Sequence, residues 1–405
     1  MKPKLLLYLA LVLSGGLCCS NLVFADATSA ETHEVVAGNT DFAVDLFSQL
    51  RAQKGNLCFS PYSISTALAM TYGGARGETA RQMARTLHFS LPPDQLHPAF
   101  AALEADLDAV RKKGEVQIAE ANSLWPQKDF PFLPDYLALC RKYYGTSITP
   151  VDYVKDPEAA RKTINAWVEA KTGQKIVELL KLGMVDRLTR LALVNAIYFK
   201  GKWASQFDSK LTQEQPFHLS LEKQVTAPLM HQTGDFKYAE FPGLQVLELP
   251  YAGDDLSMIV LLPRETNGLD HLEGELTAQN LISWTTNLQS QKVEVFLPEF
   301  KIISKFSLEQ TLPAMGMPDA FNPTLADFSG MDGRKDLFIG RVVHQAFVKV
   351  NEVGTEAAAA TAVVVEFGGA PRLPVFRADH PFLFLIRDNR DDGILFLGRV
   401  ANPTQ

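Results

Sequence analysis

The side chains of this chain that could act as nucleophiles, proton acceptors or metal ligands include eight histidines, four cysteines and many serines. Their spacing matches none of the motifs that would make them work together. There is no Gly-x-Ser-x-Gly turn for a nucleophile, no His-Glu-x-x-His pair, no phosphate-binding Gly-x-x-x-x-Gly-Lys loop and no Cys-x-x-Cys zinc pair. The sequence therefore predicts a protein that is not an enzyme and that binds neither a metal ion nor a cofactor.

The segment from Glu352 to Gly369 favours two conformations at once. Four alanines at 357–360 favour a helix, three valines at 363–365 favour a strand, and Gly354 supplies a flexible point ahead of both. Read with the period of a strand, one face is small and uncharged: Thr355, Ala357, Ala359, Thr361, Val363 and Val365. Such a segment can be a loop in one state and a buried strand in another. An alanine-rich surface helix is the alternative, but the glycine and the valines argue against it.

The secondary structure that must position this segment changes along the chain, from helices in the first half to strands in the second. Asn39 and Thr40 are predicted to cap a first helix, and Asp156 with Pro157 opens a later one. Strand patterns dominate the second half, at residues 191–199, 246–249, 257–262, 293–297 and 394–400. Helices first and strands later indicate an α+β protein. Because no Pro-rich or Gly/Ser-rich linker interrupts the chain, we expect one large domain.

Residues 1–25 have the pattern of a secretory signal peptide, with two lysines ahead of a short apolar run and small residues before a cleavage site after Ala25, or else after Ala27. The run is too short to span a membrane comfortably. Cys18 follows a leucine rather than the small residue that usually precedes a lipid-attachment cysteine, so we expect no lipid anchor. The chain is therefore expected to be secreted, to the periplasm or the extracellular medium.

The mature chain is acidic and poor in cysteine. Removing residues 1–25 takes away two lysines and no acidic residue, which changes the formal net charge from −7 to −9. An acidic secreted chain is not suited to binding nucleic acid. Only Cys58 and Cys140 remain, too few for a disulfide framework.

Motifs spread along the chain, in order, resemble those of the serpins, a family of suicide inhibitors of serine proteases. They are Asn-Leu-Cys-Phe-Ser-Pro-Tyr-Ser at 56–63, Leu-Val-Asn-Ala-Ile-Tyr-Phe-Lys-Gly-Lys-Trp at 193–203, the small-residue segment from Glu352, Ala-Asp-His-Pro-Phe-Leu-Phe-Leu-Ile at 378–386, and Gly-Arg-Val-Ala-Asn-Pro at 398–403. The resemblance implies a monomeric, metastable serpin domain at 36–405, preceded by an N-terminal tail at 26–35. It further implies three β-sheets, about eight or nine helices and an exposed reactive-centre loop at about 352–374.

The resemblance also implies that the chemistry belongs to a target protease. A serine protease attacks a peptide bond of the loop and forms an acyl-enzyme. In serpins the cut loop then inserts into the main sheet, and the protease is trapped as a covalent complex. The 15 residues from Gly354 to Gly368 span roughly 50 Å as a strand, the scale of a domain. A non-inhibitory serpin that acts as a carrier, chaperone or binding protein is the alternative, and an unrelated secreted enzyme is a third class.

The resemblance also assigns residues to the moving parts. The hinge comprises Glu352, Gly354, Thr355, Glu356, Ala357, Ala358, Ala359, Ala360 and Thr361, whose small inward residues would fit a preformed slot in the sheet. Ser60, Ser63, Asn195 and His344 align with the buried shutter that regulates this slot, and Trp203 aligns with its entry point. The simpler interpretation is that these residues are satisfied polar groups or core.

The scissile bond has three candidate positions. Family spacing places it sixteen residues after Glu352, at Gly368–Gly369, which suits a small-pocket, elastase-like protease. A shift of one residue gives Phe367–Gly368, which suits a chymotrypsin-like protease, and Arg372–Leu373 would suit a trypsin-like one. The expected partner is thus a chymotrypsin-like, elastase-like or subtilisin-like serine protease.

Two features depart from common serpin patterns. Many relatives have a basic residue that pairs with the hinge glutamate, but this chain has Glu299 there, which cannot form an ion pair with Glu352. The helix predicted near 93–110 carries mainly acidic residues, so the sequence argues against activation by heparin-like polyanions.

Overall fold

The computed structural model describes residues 27–146, 148–354 and 373–405. The helices in these ranges are α1 (Ser29–Leu50), α2 (Pro61–Tyr72), α3 (Gly77–Thr86), α4 (Pro93–Lys113), α5 (Pro134–Tyr144), α6 (Pro157–Lys171), α7 (Leu269–Glu275), α8 (Ala278–Thr286), α9 (Thr311–Met315) and α10 (Ser329–Asp332). A short 3-10 turn covers Asp319–Phe321. Ten helices stand where eight or nine were expected, because α9 and α10, of five and four residues, are little more than single turns.

The strands in the same ranges are β1 (Leu57–Phe59), β2 (Val116–Pro126), β3 (Leu191–Gly201), β4 (Gln213–His218), β5 (Gln224–Phe241), β6 (Leu244–Pro250), β7 (Leu256–Pro263), β8 (Gln289–Pro298), β9 (Phe300–Ser307), β10 (Arg341–Val350), β11 (Val375–Arg377), β12 (Phe382–Asp388) and β13 (Ile394–Val400). All five strands predicted from the sequence are present. The predicted α+β architecture, with its strands mainly in the second half, is confirmed.

These strands form two hydrogen-bonded sheets rather than the three expected. The larger sheet has the order β1-β13-β12-β7-β6-β5-β8-β11, with β4 also paired to β5, and the smaller has the order β2-β3-β10-β9. The 18-residue strand β5 joins what would otherwise be two sheets, because successive parts of it pair with β4, β8 and β6.

Helix α1 begins earlier than the sequence predicted. Thr28 caps it through a capping box with Glu31, so residues 29–35 of the expected N-terminal tail are helical. Asn39, the predicted cap, lies buried inside the helix and donates its amide N–H to the carbonyl of Ile394 at 3.3 Å. Helix α6 begins as predicted, since the Asp156 carboxylate accepts the N–H of Ala159 at 2.9 Å.

The small sheet is covered on both faces. Val194 and Val343 face Ile164 and Val168 of α6 in one apolar cluster. The opposite face packs on α2, which begins directly after Ser60. A strand that entered this sheet would therefore be buried on both faces. No helix in the described ranges is long and apolar enough to cross a membrane.

Candidate functional site

The strands β3 and β10 are the parallel neighbours at the centre of the small sheet. Eight residue pairs join them in register, from Ala192 opposite Arg341 to Phe199 opposite Val348. The outer pairs, β2 with β3 and β9 with β10, are antiparallel. A new strand running against both β3 and β10 would make the sheet antiparallel throughout. We call the boundary between β3 and β10 the slot.

Polar side chains form a row across the slot. Asn122 of β2, Asn195 of β3 and His344 of β10 stand opposite one another in register. Ser60 and Ser63, at the start of α2, lie directly beneath them. The structure thus brings together the four predicted shutter residues.

His344 is held as a neutral imidazole. Its Nε2 accepts the backbone N–H of Ser60 at 3.0 Å, which leaves Nδ1 to carry the proton and donate to Oδ1 of Asn195. The ring is fully buried, and burial lowers the pKa of His344 to about 3. The contact across the slot therefore does not depend on protonation near neutral pH.

Asn195 connects this histidine to α2 and β2. Its amide group lies 2.7 Å from the carbonyl of Ser63 and 2.6 Å from the Ser63 hydroxyl, and it also contacts the Asn122 side chain. The Ser63 hydroxyl donates to Oδ1 of Asn122 at 3.1 Å. Sequence reasoning missed Asn122; the one available signal was a polar residue at mid-strand with apolar residues soon after it.

An inserted strand would have to break this row. Adjacent strands lie about 4.8 Å apart, so a strand placed between β3 and β10 would move Asn195 and His344 to roughly twice that separation. Their direct hydrogen bond could not survive. We call this buried row the lock, because its hydrogen bonds would have to break before a strand could enter the slot.

A tight turn at residues 351–354 closes one end of the slot. The backbones of Asn351 and Gly354 bond to each other, at 2.8 and 3.1 Å, and Gly354 forms a bridge to Lys202 just beyond β3. Gly354 has a φ of +130°, and a Cβ placed there would lie 2.2 Å from the carbonyl oxygen of Gly201. Only glycine fits this position.

Trp203, two residues after the end of β3, contacts the same turn. Its indole N–H donates to the Asn351 carbonyl at 3.0 Å, and its backbone N–H donates to the Val353 carbonyl at 2.8 Å. The ring stacks on Tyr251 with 4.7 Å between the ring centroids. The structure places Trp203 at the entry end of the slot, beside the start of the hinge.

Glu352 also belongs to this turn, where it finds no basic partner for a salt bridge in the described residues. Its Oε1 accepts the Thr212 hydroxyl at 2.8 Å, and its carboxyl group lies close enough to that of Glu299 for the two to share a hydrogen bond when one of them is protonated. The expectation that Glu299 cannot supply an ion pair therefore agrees with the geometry, although the two side chains meet.

The rest of the predicted loop falls outside the described residues. This applies to the hinge from Thr355 to Thr361 and to the candidate bonds at Phe367, Gly368 and Gly369. Beyond the loop the chain joins the other sheet, where β11 pairs with β8. The loop therefore connects the end of the slot to the larger sheet. No group of three or more His, Cys, Asp or Glu side chains that could hold a metal ion occurs in the described part of the chain.

Comparisons with known proteins agree over nearly the whole chain. The family model described as serpin (serine protease inhibitor) matches residues 37–403. The leukocyte elastase inhibitor of Bos taurus is 46% identical over 380 residues, which cover 91% of this chain and 100% of that protein. Among solved structures, Serpin48 of the insect Tenebrio molitor is 32% identical with a TM-score of 0.82, covering 92% of this chain and 98% of that one. Human thyroxine-binding globulin is 30% identical with a TM-score of 0.84, covering 93% and 100%.

We expect Asn195→Ala to weaken the lock. The substitution leaves the Nδ1–H of His344 and the carbonyl of Ser63 buried without their partner, at a cost of about 2–4 kcal/mol. The uncleaved protein should show a lower thermal midpoint by circular dichroism and faster conversion to other forms on a native gel. Asn267→Ala, at an exposed position, is the control. Equal behaviour of the two variants would contradict a locking role.

We expect Gly354→Ala to dislodge the hinge turn. A Cβ at this position meets the backbone of Gly201, Lys202 and Trp203 at 2.2–2.6 Å. Gly243→Ala is a matched control, because Gly243 also has a positive φ but nothing within 4 Å of its added Cβ. Backbone strain of about 1–3 kcal/mol should affect both variants. Only Gly354→Ala should also suffer the steric clash, so its thermal midpoint should lie below that of Gly243→Ala. A thermal midpoint of Gly354→Ala at or above that of Gly243→Ala would refute the close packing around Gly354.

Proposed function

The chain belongs to the serpin family, and we propose that it inhibits a serine protease as a suicide substrate. One observation carries this proposal: the hinge turn reverses the chain at the end of a parallel strand pair. Gly354 is bridged antiparallel to Lys202, so the backbone at this point already runs in the direction that antiparallel insertion between β3 and β10 requires. The chain acts on a protease rather than turning over a substrate of its own.

The chemical step uses the catalytic serine of the target. Its Oγ attacks the carbonyl carbon of the scissile bond, the C–N bond breaks, and the amine end leaves with a proton. The residues before the bond remain esterified to the protease. The residues after it stay attached through β11, β12 and β13, which pair within the larger sheet. Cutting therefore frees one end of the loop and leaves the fold intact.

Insertion of the loop as a new strand supplies the free energy that drives trapping of the protease. A strand between β3 and β10 gains backbone hydrogen bonds on both edges along the eight paired positions and replaces a parallel pairing with antiparallel ones. It must break the His344–Asn195 contact, so it proceeds only where the new bonds exceed that cost. The small inward-facing side chains that alternate from Thr355 to Thr361 keep the steric cost of entry low, which matters because both faces of the sheet are already covered.

The reactive bond we propose is Gly368–Gly369, with Phe367–Gly368 as the alternative. These sites suit elastase-like and chymotrypsin-like pockets respectively, and a subtilisin-like target is also compatible. Arg372–Leu373 is less suited, because it lies next to Pro374, whose carbonyl accepts the N–H of Glu294 at 2.9 Å. A bond so close to a paired strand has little freedom to enter a protease cleft.

The run of small residues at 357–360 favours inhibition over the alternative function. A carrier, chaperone or binding protein of the same fold has no need to fit its loop into the sheet, so the run of alanines at 357–360 would serve no purpose. We further propose that the signal-like residues 1–25 direct secretion and that the mature protein acts as a monomer without nucleic acid or cofactor.

We do not expect polyanions to accelerate inhibition. Two of the three basic residues at the end of α4 already have acidic partners: Arg111 contacts Glu104 at 2.5 Å and Asp108 at 2.6 Å, and Lys113 contacts Asp255 at 2.7 Å.

Mixing the mature protein with elastase, chymotrypsin, subtilisin or trypsin should give an SDS-stable adduct with at least one of the first three. The adduct forms because insertion separates the acyl bond from the groups that hydrolyse it. Mass spectrometry of the released peptide should give a first residue of Gly369 or Gly368. A catalytically inactive serine variant of the same protease is the control and should give no adduct. Loop cleavage without an adduct for every protease would favour the non-inhibitory alternative.

We expect Thr355→Arg to turn the inhibitor into a substrate. Thr355 leads the inward face, and an arginine there would carry a charge into the buried slot at a cost of several kcal/mol. Insertion then becomes slower than deacylation, so the gel should show cleaved protein in place of adduct. Glu356→Arg is the matched control, because position 356 alternates to the opposite face and already carries a charged side chain there. Persistent adduct formation by Thr355→Arg would rule out insertion of this face.

A further inference from the structure

The carboxyl groups of Glu299 and Glu352 meet at the entry end of the slot. Glu299 separates β8 from β9, and its backbone N–H donates to the Pro228 carbonyl at 2.9 Å, so both sheets fix its position. The β9–β10 ladder ends at Phe300 opposite Val350. Glu299 and Glu352 lie just beyond this last pair, one on the fixed corner and one on the hinge turn.

The charges around Glu299 favour its protonated form. Glu352 in the turn and Glu214 on β4 repel an ionised Glu299, whereas Lys349 on β10 attracts it. Partial burial, followed by the hydrogen bond and the charge of Glu352, raises the pKa of Glu299 to about 7. A hydrogen bond between two carboxyl groups requires a proton on one of them, and two neighbouring ionised carboxylates repel each other.

We propose that Glu299 and Glu352 form a proton-dependent latch, which fastens the hinge turn to the β8–β9 corner in mildly acidic solution and loosens it in mildly alkaline solution. A salt bridge at this position would hold in both mildly acidic and mildly alkaline solution. The pair of acids holds only while one of them is protonated. Its existence rests on the contacts above. Its effect on loop insertion rests on the proposed function as well.

The direction of the pH effect follows from proton linkage. The folded, uninserted protein keeps a proton on Glu299 that an unfolded chain gives up near pH 4.5. The contribution of the latch to stability is thus fully present below about pH 4.5 and is lost as pH rises through about 7. The buried His344 and His97 act in the opposite sense, because burial lowers their pKa values to about 3 and about 4, and their contribution is lost as pH falls below 6.5.

The test compares variants of the uncleaved mature protein at pH 5.5, 7.0 and 8.5. The rate of heat-induced conversion to loop-inserted forms is read on native gels at one temperature, together with the thermal midpoint. We expect the wild-type rate, divided by that of Glu299→Gln at the same pH, to rise about 3–10-fold from pH 5.5 to 8.5. Dividing by the variant cancels the contributions of the histidines. Glu299→Lys should convert most slowly at pH 8.5, because it forms a salt bridge with Glu352.

Glu222→Gln is the charge-matched control, since Glu222 is exposed in the loop between β4 and β5. Its conversion rate should change between pH 5.5 and 8.5 as the wild-type rate does. If either glutamine variant at the pair, Glu299→Gln or the reciprocal Glu352→Gln, is too poorly folded to measure, the other serves. A wild-type step retained in the measurable variant would overturn the latch.

Adduct formation with a protease is measured on the same preparations at pH 7.0. A pH step in the thermal midpoint that disappears in Glu299→Gln, without any adduct, would support the latch and refute the inhibitory function. Adduct formation together with the same pH dependence of the thermal midpoint in the wild type and in Glu299→Gln would support the inhibitory function and refute the latch.

Discussion

The parallel pairing of β3 and β10 is the constraint on which the rest of this structure depends. A parallel pair is slightly less stable per residue than an antiparallel one, and this pair lies between two antiparallel neighbours. The chain leaving β10 turns back by Gly354, which is bridged antiparallel to Lys202, so the backbone at Gly354 already runs in the direction that the sheet lacks. Under the proposed mechanism, the groups that join β3 to β10 hold the fold short of this better-paired arrangement.

Those groups are polar, which explains why the lock can hold yet still open. The contact of His344 with Asn195 is a single buried hydrogen bond across the slot, backed by Asn122 and the start of α2. Breaking it leaves buried polar groups unpaired, a cost that opposes opening until a new strand offers backbone partners along the full pairing. An apolar seam would offer no such all-or-none barrier, because packing is lost gradually as strands separate.

Local signals in the sequence predicted the elements better than their pairing. The strand at 394–400 and the cap of α6 at Asp156 were predicted correctly, because alternation and capping depend on neighbours in the chain. The start of α1 was misplaced at Asn39, since its amide serves the distant carbonyl of Ile394 rather than the helix end. Asn122 was missed because its place beside Asn195 depends on the register between two strands far apart in sequence, which propensity does not encode.

The two ends of the opening process differ in their response to pH. The shutter row contains one titratable group, His344, and burial keeps it neutral across the physiological range. The entry end instead carries Glu299, whose pKa of about 7 lies inside that range. A salt bridge at this position would have made the entry as insensitive as the shutter. The proposed pH response is therefore confined to the hinge, where an inserting strand would enter first, and the central lock does not share it.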